Sequence, residues 1–552
     1  MYSRVISVIA FAVLLAGCGG SGAAVGSNVG TGGPVSVATA PPAGSNGASP
    51  APTPTASSTT PPGSATTADV VIPTFPMPLT HSGRWMTDAD GRVVIFHGIN
   101  VAMKSAPYTP QAQGFTQADA AMLAREGFSS VRLWIWWSAF EPSPGVWDDT
   151  SLAATKQFIG WLHDYGITVR LNFAQVIWGQ EFGGIGFPDW AADTDGLPLM
   201  NLGGDIEDGV AEPSVQAAAQ NLYDNVAYPG TVGLADQFAA AWVHVASYFV
   251  NTPGVIAYDI FNEPEAGLQT TTCDEPAGCP VFDEETLTPF FEKTVAAIRT
   301  VDTVHMIQYE PYVLDAVGLF NTYVGAGSDP NLSLTFHYYP QTDDALTTTA
   351  PVAYQIFEND ASTHNDAVEL TEFGATDDLT QIGDILDAAD QQKLGWLYWA
   401  WYSTEPTGNP ATPTTETLNP QEGIVYDPTQ PPVESNLKTA KLDVLDRPYP
   451  FLIAGTPQSW SFNTTTNVFT LTYTTTPVKG GAALTDPSVV MVPQRLYPSG
   501  YRVAVSGATV TSQPNANALT LATNTGATSI TVTVSPNASS TTSKRTRNAS
   551  YR

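Results

Sequence analysis

Two carboxylates stand where short apolar runs stop. Tyr258-Asp259-Ile260-Phe261 leads into Asn262-Glu263 and is halted by Pro264. Ala367-Val368-Glu369-Leu370-Thr371 leads into Glu372-Phe373-Gly374. Such a pair fits cleavage of a glycosidic bond with retention of configuration. One carboxyl protonates the leaving oxygen and later deprotonates water, the other attacks the anomeric carbon, and the two stand roughly 5–5.5 Å apart. The two glutamates are far apart in sequence, so the fold must bring two strand ends together.

The elements that would do so are legible. Short apolar runs predict strands at Val93–Phe96, Ser130–Leu133, Thr168–Leu171, Val255–Tyr258, Met306–Tyr309, Leu332–Phe336, Val368–Leu370 and Gly395–Trp399. Amphipathic stretches lie between most of them: Ala118–Glu126, Ser151–Tyr165, Leu234–Val250, Glu284–Val301 and Leu379–Lys393. Alternating strands and helices predict an α/β fold, a (β/α)8 TIM barrel over 76–447. The Gly/Asp-rich insertion from Val176 to Gly233 belongs to a strand-to-helix loop, the loop type that builds the active-site face. After Arg447 the helical period vanishes and Thr-rich alternation appears, as in Val468–Tyr473 and Ile530–Val534. That pattern predicts a small antiparallel β-sandwich over 448–536.

Strand ends in a barrel carry the chemistry. Strand two presents Arg132, strand four Asn262 and Glu263, and strand six His337, Tyr338 and Tyr339. Strand seven presents Glu372, and strand eight Trp399, Trp401 and Tyr402. Arg132 would keep the attacking Glu372 ionised. Glu263 would give up its proton as the leaving oxygen departs and then serve as base. Asn262 would bond a sugar 2-hydroxyl, and Trp399 would offer an apolar face to the ring. A lone Arg or His at a strand end is more often a barrel ion pair. Compatible residues on five strand ends favour a site.

Asn262-Glu263-Pro264, His337-x-Tyr339, Glu372-Phe373-Gly374 and Trp399 resemble glycoside hydrolase family 5. Three further stretches look like the endoglycosylceramidases, which take the glycan off glycosphingolipids. They are Asn100 to Pro110, Phe182 to Ala191, and Arg447-Pro448-Tyr449-Pro450 through Phe462 to Tyr501. The resemblance covers about residue 80 to 535. It implies Glu263 as acid/base and Glu372 as nucleophile. It further implies sugar contacts from Lys104, Asn262, Tyr339 and Trp399, with His337 supporting Glu263 and Arg132 supporting Glu372. One departure stands out. Where the family typically has a His-Gln-Asp segment after strand three, this chain has Ala174-Gln175-Val176. The missing hydrogen bonds imply a different first sugar or linkage, unless a neighbouring loop replaces them. Ile177, Trp178, Phe182, Phe187 and Trp190 would form either an apolar trough for a lipid chain or the packed base of the loop.

Composition sets the partners. With 21 Lys+Arg against 52 Asp+Glu the net charge is −31, which repels phosphate backbones and excludes nucleic acid. Thirteen Trp, 21 Tyr and 23 Phe leave aromatics for sugar stacking beyond the core. No paired metal-ligand spacing such as HExxH occurs, so neither metal nor organic cofactor is expected. No obligate protein partner is evident. Arg4, the apolar run Val5–Leu15 and Leu15-Ala16-Gly17-Cys18 resemble a bacterial lipoprotein signal over 1–18. That resemblance implies lipidation at Cys18 and a membrane-anchored, cell-envelope or secreted location. A Gly/Ser/Pro/Thr-rich tether over 19–75 and a basic tail over 537–552 are expected to be disordered. In an exported chain Cys273 and Cys279 predict a small-loop disulfide, with two free thiols as the alternative. The substrate expected is a glycolipid. The rival readings are a family 5 glucanase or mannanase acting on polysaccharide, and a non-catalytic envelope glycan-binding protein.

Overall fold

The structure is a computed structural model that describes residues 70–537, apart from 201–210, 228–231, 274–276, 317, 319, 341–348 and 407–415. The proposed signal, Cys18, most of the tether and nearly all of the basic tail lie outside the described residues. Packing begins at residue 70, before the expected end of the tether. Ile72 is fully buried, and its N–H donates to Tyr165 O over 2.8 Å.

Eight parallel strands close into a barrel in chain order: His97–Val101, Ser130–Ile135, Thr168–Phe173, Val255–Asp259, Met306–Tyr309, Leu332–Tyr338, Ala367–Phe373 and Trp396–Tyr398. Nearly all their residues are buried, because helices cover the outer face and side chains fill the inner one. The helices Gln117–Arg125, Thr150–Asp164, Leu234–Phe249, Thr288–Ile298 and Leu379–Gln392 follow the expected amphipathic stretches. The long loop after strand three holds a helix of its own, Pro213–Tyr223. After strand five the covering helix shrinks to one turn, Val313–Ala316. A cavity of about 590 Å³ lies on that flank, lined by Glu284, Thr288, Thr322, Asp360 and His364 among others. None of the expected site residues lines it.

One strand is reassigned. The first barrel strand is His97–Val101, whereas Val93–Val94 pairs antiparallel with Leu452–Ile453. Val93–Val94 therefore joins a seven-stranded sheet built from Thr80–Ser82, Trp85–Thr87, Tyr449–Ile453, Ser488–Met491, Ala518–Thr523 and Ala508–Val510 as well. A four-stranded antiparallel sheet, Thr456–Asn463, Val468–Thr474, Ser529–Pro536 and Tyr501–Ser506, completes the C-terminal part. Its alternation is visible in the last strand, where Ile530, Val532 and Val534 are buried and Ser529 and Thr531 are exposed. Charged contacts tie this part to the barrel. Arg495 binds Glu126 and Asp446, and the Trp460 indole donates to Asp390.

Candidate active site

The carboxyls expected to act together do meet. One oxygen of Glu263, one of Glu372 and a ring nitrogen of His337 all lie within 4.8 Å of one another. That spacing is the one a nucleophile and an acid/base share in a retaining enzyme, with no room between them for a water to attack from the opposite face. The same three atoms are spaced as metal ligands would be, but they are already committed. Glu372 Oε1 accepts from Arg132, and Glu263 Oε1 is 2.7 Å from His337 Nδ1. Each carboxyl is thus already engaged by a nitrogen of Arg132 or His337.

Arg132 organises the floor. It is fully buried on strand two. Its Nε donates to Asp259 over 2.6 Å, Nη1 to Glu372, and Nη2 to Glu310 over 2.5 Å and to Asn262 Oδ1 over 3.0 Å. Asn100, on strand one, is a fifth partner: its Oδ1 accepts from Nη1 over 3.3 Å, while its amide donates to Thr371 O on strand seven and Tyr398 O on strand eight. A guanidinium is suited to this because its donors are rigid and planar and it keeps its charge. Burial opposes the charge on Arg132, but Asp259, Glu310 and Glu372 outweigh it and raise its pKa.

Glu372 is held at both oxygens. Oε1 accepts from Arg132, and Oε2 accepts from the Tyr339 hydroxyl over 2.8 Å. Burial pushes its pKa up, and Glu263 and Glu310 add to that, while His337 and Arg132 oppose it. Glu263 is the more open carboxyl, with a side chain 19 % exposed against 5 % for Glu372. Its backbone φ is +47°, a left-handed value that a non-glycine residue adopts at a cost. Gln175 helps to hold it there. The Gln175 amide donates to Glu263 O over 2.8 Å and to Asn262 O over 3.3 Å, and its oxygen accepts from Trp178 N.

Around this floor stand the expected sugar contacts. Trp399 ends strand eight, and its indole N–H donates to Glu422 over 2.7 Å. Lys104 Nζ lies 5.0 Å from the Trp399 ring centre and 5.7 Å from that of Trp134. Trp401 is placed elsewhere: it is fully buried and packs on Phe115. The aromatic residues of the third loop form its packed base. Trp178, Phe182 and Phe187 are buried, and Phe187 stacks on Phe261 and meets Phe238. Trp190 packs edge-on against Trp137 and donates to Glu141 O. Ala174 and Val176 are buried in this loop and carry no polar group. Cys273 and Cys279 are joined by a disulfide.

Five polar residues of the site are given no role by the sequence reading: Asn100, Gln175, Asp259, Glu310 and Glu422. Glu310 carried a usable signal. Met306-Ile307-Gln308-Tyr309-Glu310-Pro311 repeats the apolar run, glutamate and proline of the Glu263 segment.

A sequence model of Cellulase (glycosyl hydrolase family 5) matches residues 87–405. The chain belongs to glycoside hydrolase family 5. A second model, the glycoside hydrolase family 5 C-terminal domain, matches residues 447–534. Among characterised proteins, the chain is 28 % identical to endoglycoceramidase I of Rhodococcus hoagii over 80 % of its own length and 85 % of the relative's. It is also 28 % identical to an endoglycoceramidase of Cyanea nozakii, over 76 % of its length and 85 % of the relative's. Among solved structures it is similar to endo-glycoceramidase II from Rhodococcus sp. in a complex with ganglioside GM3. There the TM-score is 0.64, with 26 % identity, 82 % of this chain covered and 99 % of the other. Family 5 membership thus extends from the barrel into the C-terminal sheets, as the residue resemblance implied.

Proposed function

We propose that this family 5 enzyme hydrolyses the bond between the glycan and the lipid of glycosphingolipids by double displacement. Glu372 attacks the anomeric carbon while Glu263 gives its proton to the leaving ceramide oxygen. The C–O bond breaks, a glycosyl ester forms on Glu372, and the free ceramide alcohol departs. Glu263, now a carboxylate, takes a proton from water, which adds to the anomeric carbon and frees Glu372. Arg132 and Tyr339 hold the carboxylate of Glu372 for attack and accept its charge back when the ester opens. Asn262, fixed by Arg132 and Gln175, is placed for the 2-hydroxyl, and Trp399 for the ring face.

The observation that carries the lipid part is the extent of the likeness, which runs through barrel and C-terminal domain alike. Ala174 and Val176 offer no hydrogen bonds in loop three, so the first sugar or its linkage differs from one read there by such bonds. The leader supports an exported, lipid-anchored enzyme. Arg4, the Val5–Leu15 run and Cys18 give it an envelope address and tether the barrel near membrane lipids. Among the described residues no helix is long and apolar enough to cross a membrane.

The test is a screen of the full chain in detergent against glucosyl-, galactosyl- and oligosaccharyl-ceramides beside soluble β-glucans and mannans. Release of an intact oligosaccharide and ceramide, read by mass, is expected. Turnover confined to the soluble polysaccharides overturns the glycolipid reading.

A further inference from the structure

Glu310 follows strand five and is fully buried. It touches three parts of the site at once. Oε1 accepts from Arg132 Nη2 over 2.5 Å and lies 3.4 Å from His337 Nε2. Oε2 accepts the backbone N–H of Glu263 over 2.8 Å. Balancing Arg132 does not explain this placement, because Asp259 and Glu372 already pair with that guanidinium. The second oxygen is spent on the main chain of the residue held at φ +47°.

His337 is the link. Its Nδ1 faces Glu263 Oε1 at 2.7 Å, and its Nε2 lies between Glu310 at 3.4 Å and Glu372 at 3.6 Å, with no hydrogen bond to a described residue. Three carboxyls therefore face the ring: Glu263 from beyond strand four, Glu310 from beyond strand five and Glu372 from strand seven. The Tyr339 ring approaches from its own strand, and Asp259 and Arg132 stand further off. Burial disfavours charge on the ring, but Glu372, Glu310 and Glu263 outweigh it and raise its pKa well above the usual value. Burial likewise opposes charge on Glu310, but His337 and Arg132 outweigh it and keep it a carboxylate.

The consequence concerns one proton. A neutral imidazole offers a lone pair at one nitrogen, and a lone pair at Nδ1 would draw the Glu263 proton to Oε1, away from substrate. A doubly protonated ring donates at Nδ1, so Oε1 must accept. The Glu263 proton then resides on Oε2, which has no protein hydrogen-bond partner among the described residues.

We propose that Glu310 is a positioning residue for the acid/base: it fixes the Glu263 main chain through the N–H and fixes His337 as a donor at Nδ1, so that Glu263 presents its proton to the leaving group. The proposal rests on Glu263 being the acid/base.

Glu310→Gln tests it, since the amide oxygen still accepts the Glu263 N–H while the charge is gone. The probes are the dinitrophenyl β-glycoside of the glycan released in the ceramide screen, whose leaving group needs no proton, and its alkyl β-glycoside, whose leaving group does. For E310Q, kcat/KM on the alkyl glycoside should fall about a hundredfold and on the dinitrophenyl glycoside less than about tenfold, the span of a general-acid contribution. The basic limb of the alkyl profile should move to lower pH, because His337 loses its proton sooner. Equal falls on both probes with an unchanged profile overturn the proposal, as does no fall on either. If E310Q does not fold, the same split is expected of His337→Phe, and its absence is equally fatal. Wild-type protein inert on both probes contradicts the functional reading itself rather than the role of Glu310.

Discussion

The Tyr339 hydroxyl donates to Oε2 of Glu372 over 2.8 Å, while Oε1 of the same carboxylate accepts from Arg132. The nucleophile is thereby aimed and its returning charge is shared. Removing the tyrosine donor makes Glu372 a poorer leaving group when the glycosyl ester opens. Tyr339→Phe should lower kcat on an activated aryl glycoside by roughly 10–100-fold, the worth of one hydrogen bond to a charged group. A pre-steady-state burst should appear, because the second step slows more than the first. A fall confined to the first step, without a burst, would contradict this role.

Glu422 orients Trp399 by direct contact. Its Oε2 accepts the indole N–H over 2.7 Å, its Oε1 accepts from Asn419, and its carbonyl accepts from Ala400 N and Tyr398 OH. Glu422→Ala keeps the backbone contacts but frees the indole. KM should rise about tenfold with a smaller change in kcat, the pattern of lost ground-state and transition-state binding together. An unchanged KM would place the Trp399 ring outside the sugar path.

Loop three depends on a close approach at Gly184. A Cβ there would stand 2.0 Å from Val176 O and 2.6 Å from Ile177 O. Gly184→Ala must push away the segment that carries Gln175, which holds the Glu263 and Asn262 carbonyls. Activity should drop by about a hundredfold, as small misplacements of catalytic groups do. A circular dichroism spectrum should remain native. Full activity would show that Gln175 does not steady Glu263.

Three buried acids beside the shortened helix make stability depend on pH. Burial, with Glu284 nearby, pushes Asp283 up to about 7, and burial, with Asp283 and Asp366 nearby, pushes Asp360 up to about 8. Burial, then Asp283 and Asp360, raise Asp315 well above the usual range, and neither of its oxygens has a hydrogen-bond partner among the described residues. In the unfolded chain such groups titrate near 4, so folding retains protons. Their contribution is complete below about pH 4 and is lost as pH rises through about 7–8. His337, also raised, acts in the same direction. Tm should be lower at pH 8.5 than at pH 5.5. Asp315→Asn should raise Tm at pH 8.5 by roughly 2–4 °C, the shift that about 1 kcal/mol gives in a large domain. A Tm flat or rising over that range would contradict the prediction.

How far the sequence disclosed this molecule follows from local and non-local signals. Strand-end residues were readable because a parallel barrel sends every strand the same way, so the last polar residue of each run falls on one face. Glu263, Glu372, His337, Tyr339 and Arg132 were all found so. Val93–Val94 misled because its partner, Leu452–Ile453, lies near the other end of the chain, and pairing across that span leaves no periodicity in the strand itself. The aromatics of loop three looked equally apt for a lipid trough or a packed base, since hydrophobicity does not say which side of a loop a ring faces. Glu310 lies in none of the family stretches, although its strand–glutamate–proline pattern copies that of Glu263.

The central claim is that Glu372 forms the glycosyl ester and Glu263 handles the proton. Incubation with the 2-deoxy-2-fluoro-β-glycosyl fluoride of the glycan released in the ceramide screen, whose leaving group needs no acid, should trap that ester. Mass analysis of the digested protein should place one fluoroglycosyl adduct on the peptide bearing Glu372. Glu263→Ala should still be labelled, and Glu372→Gln should not. An adduct on another residue, or labelling of Glu372→Gln, would contradict the account.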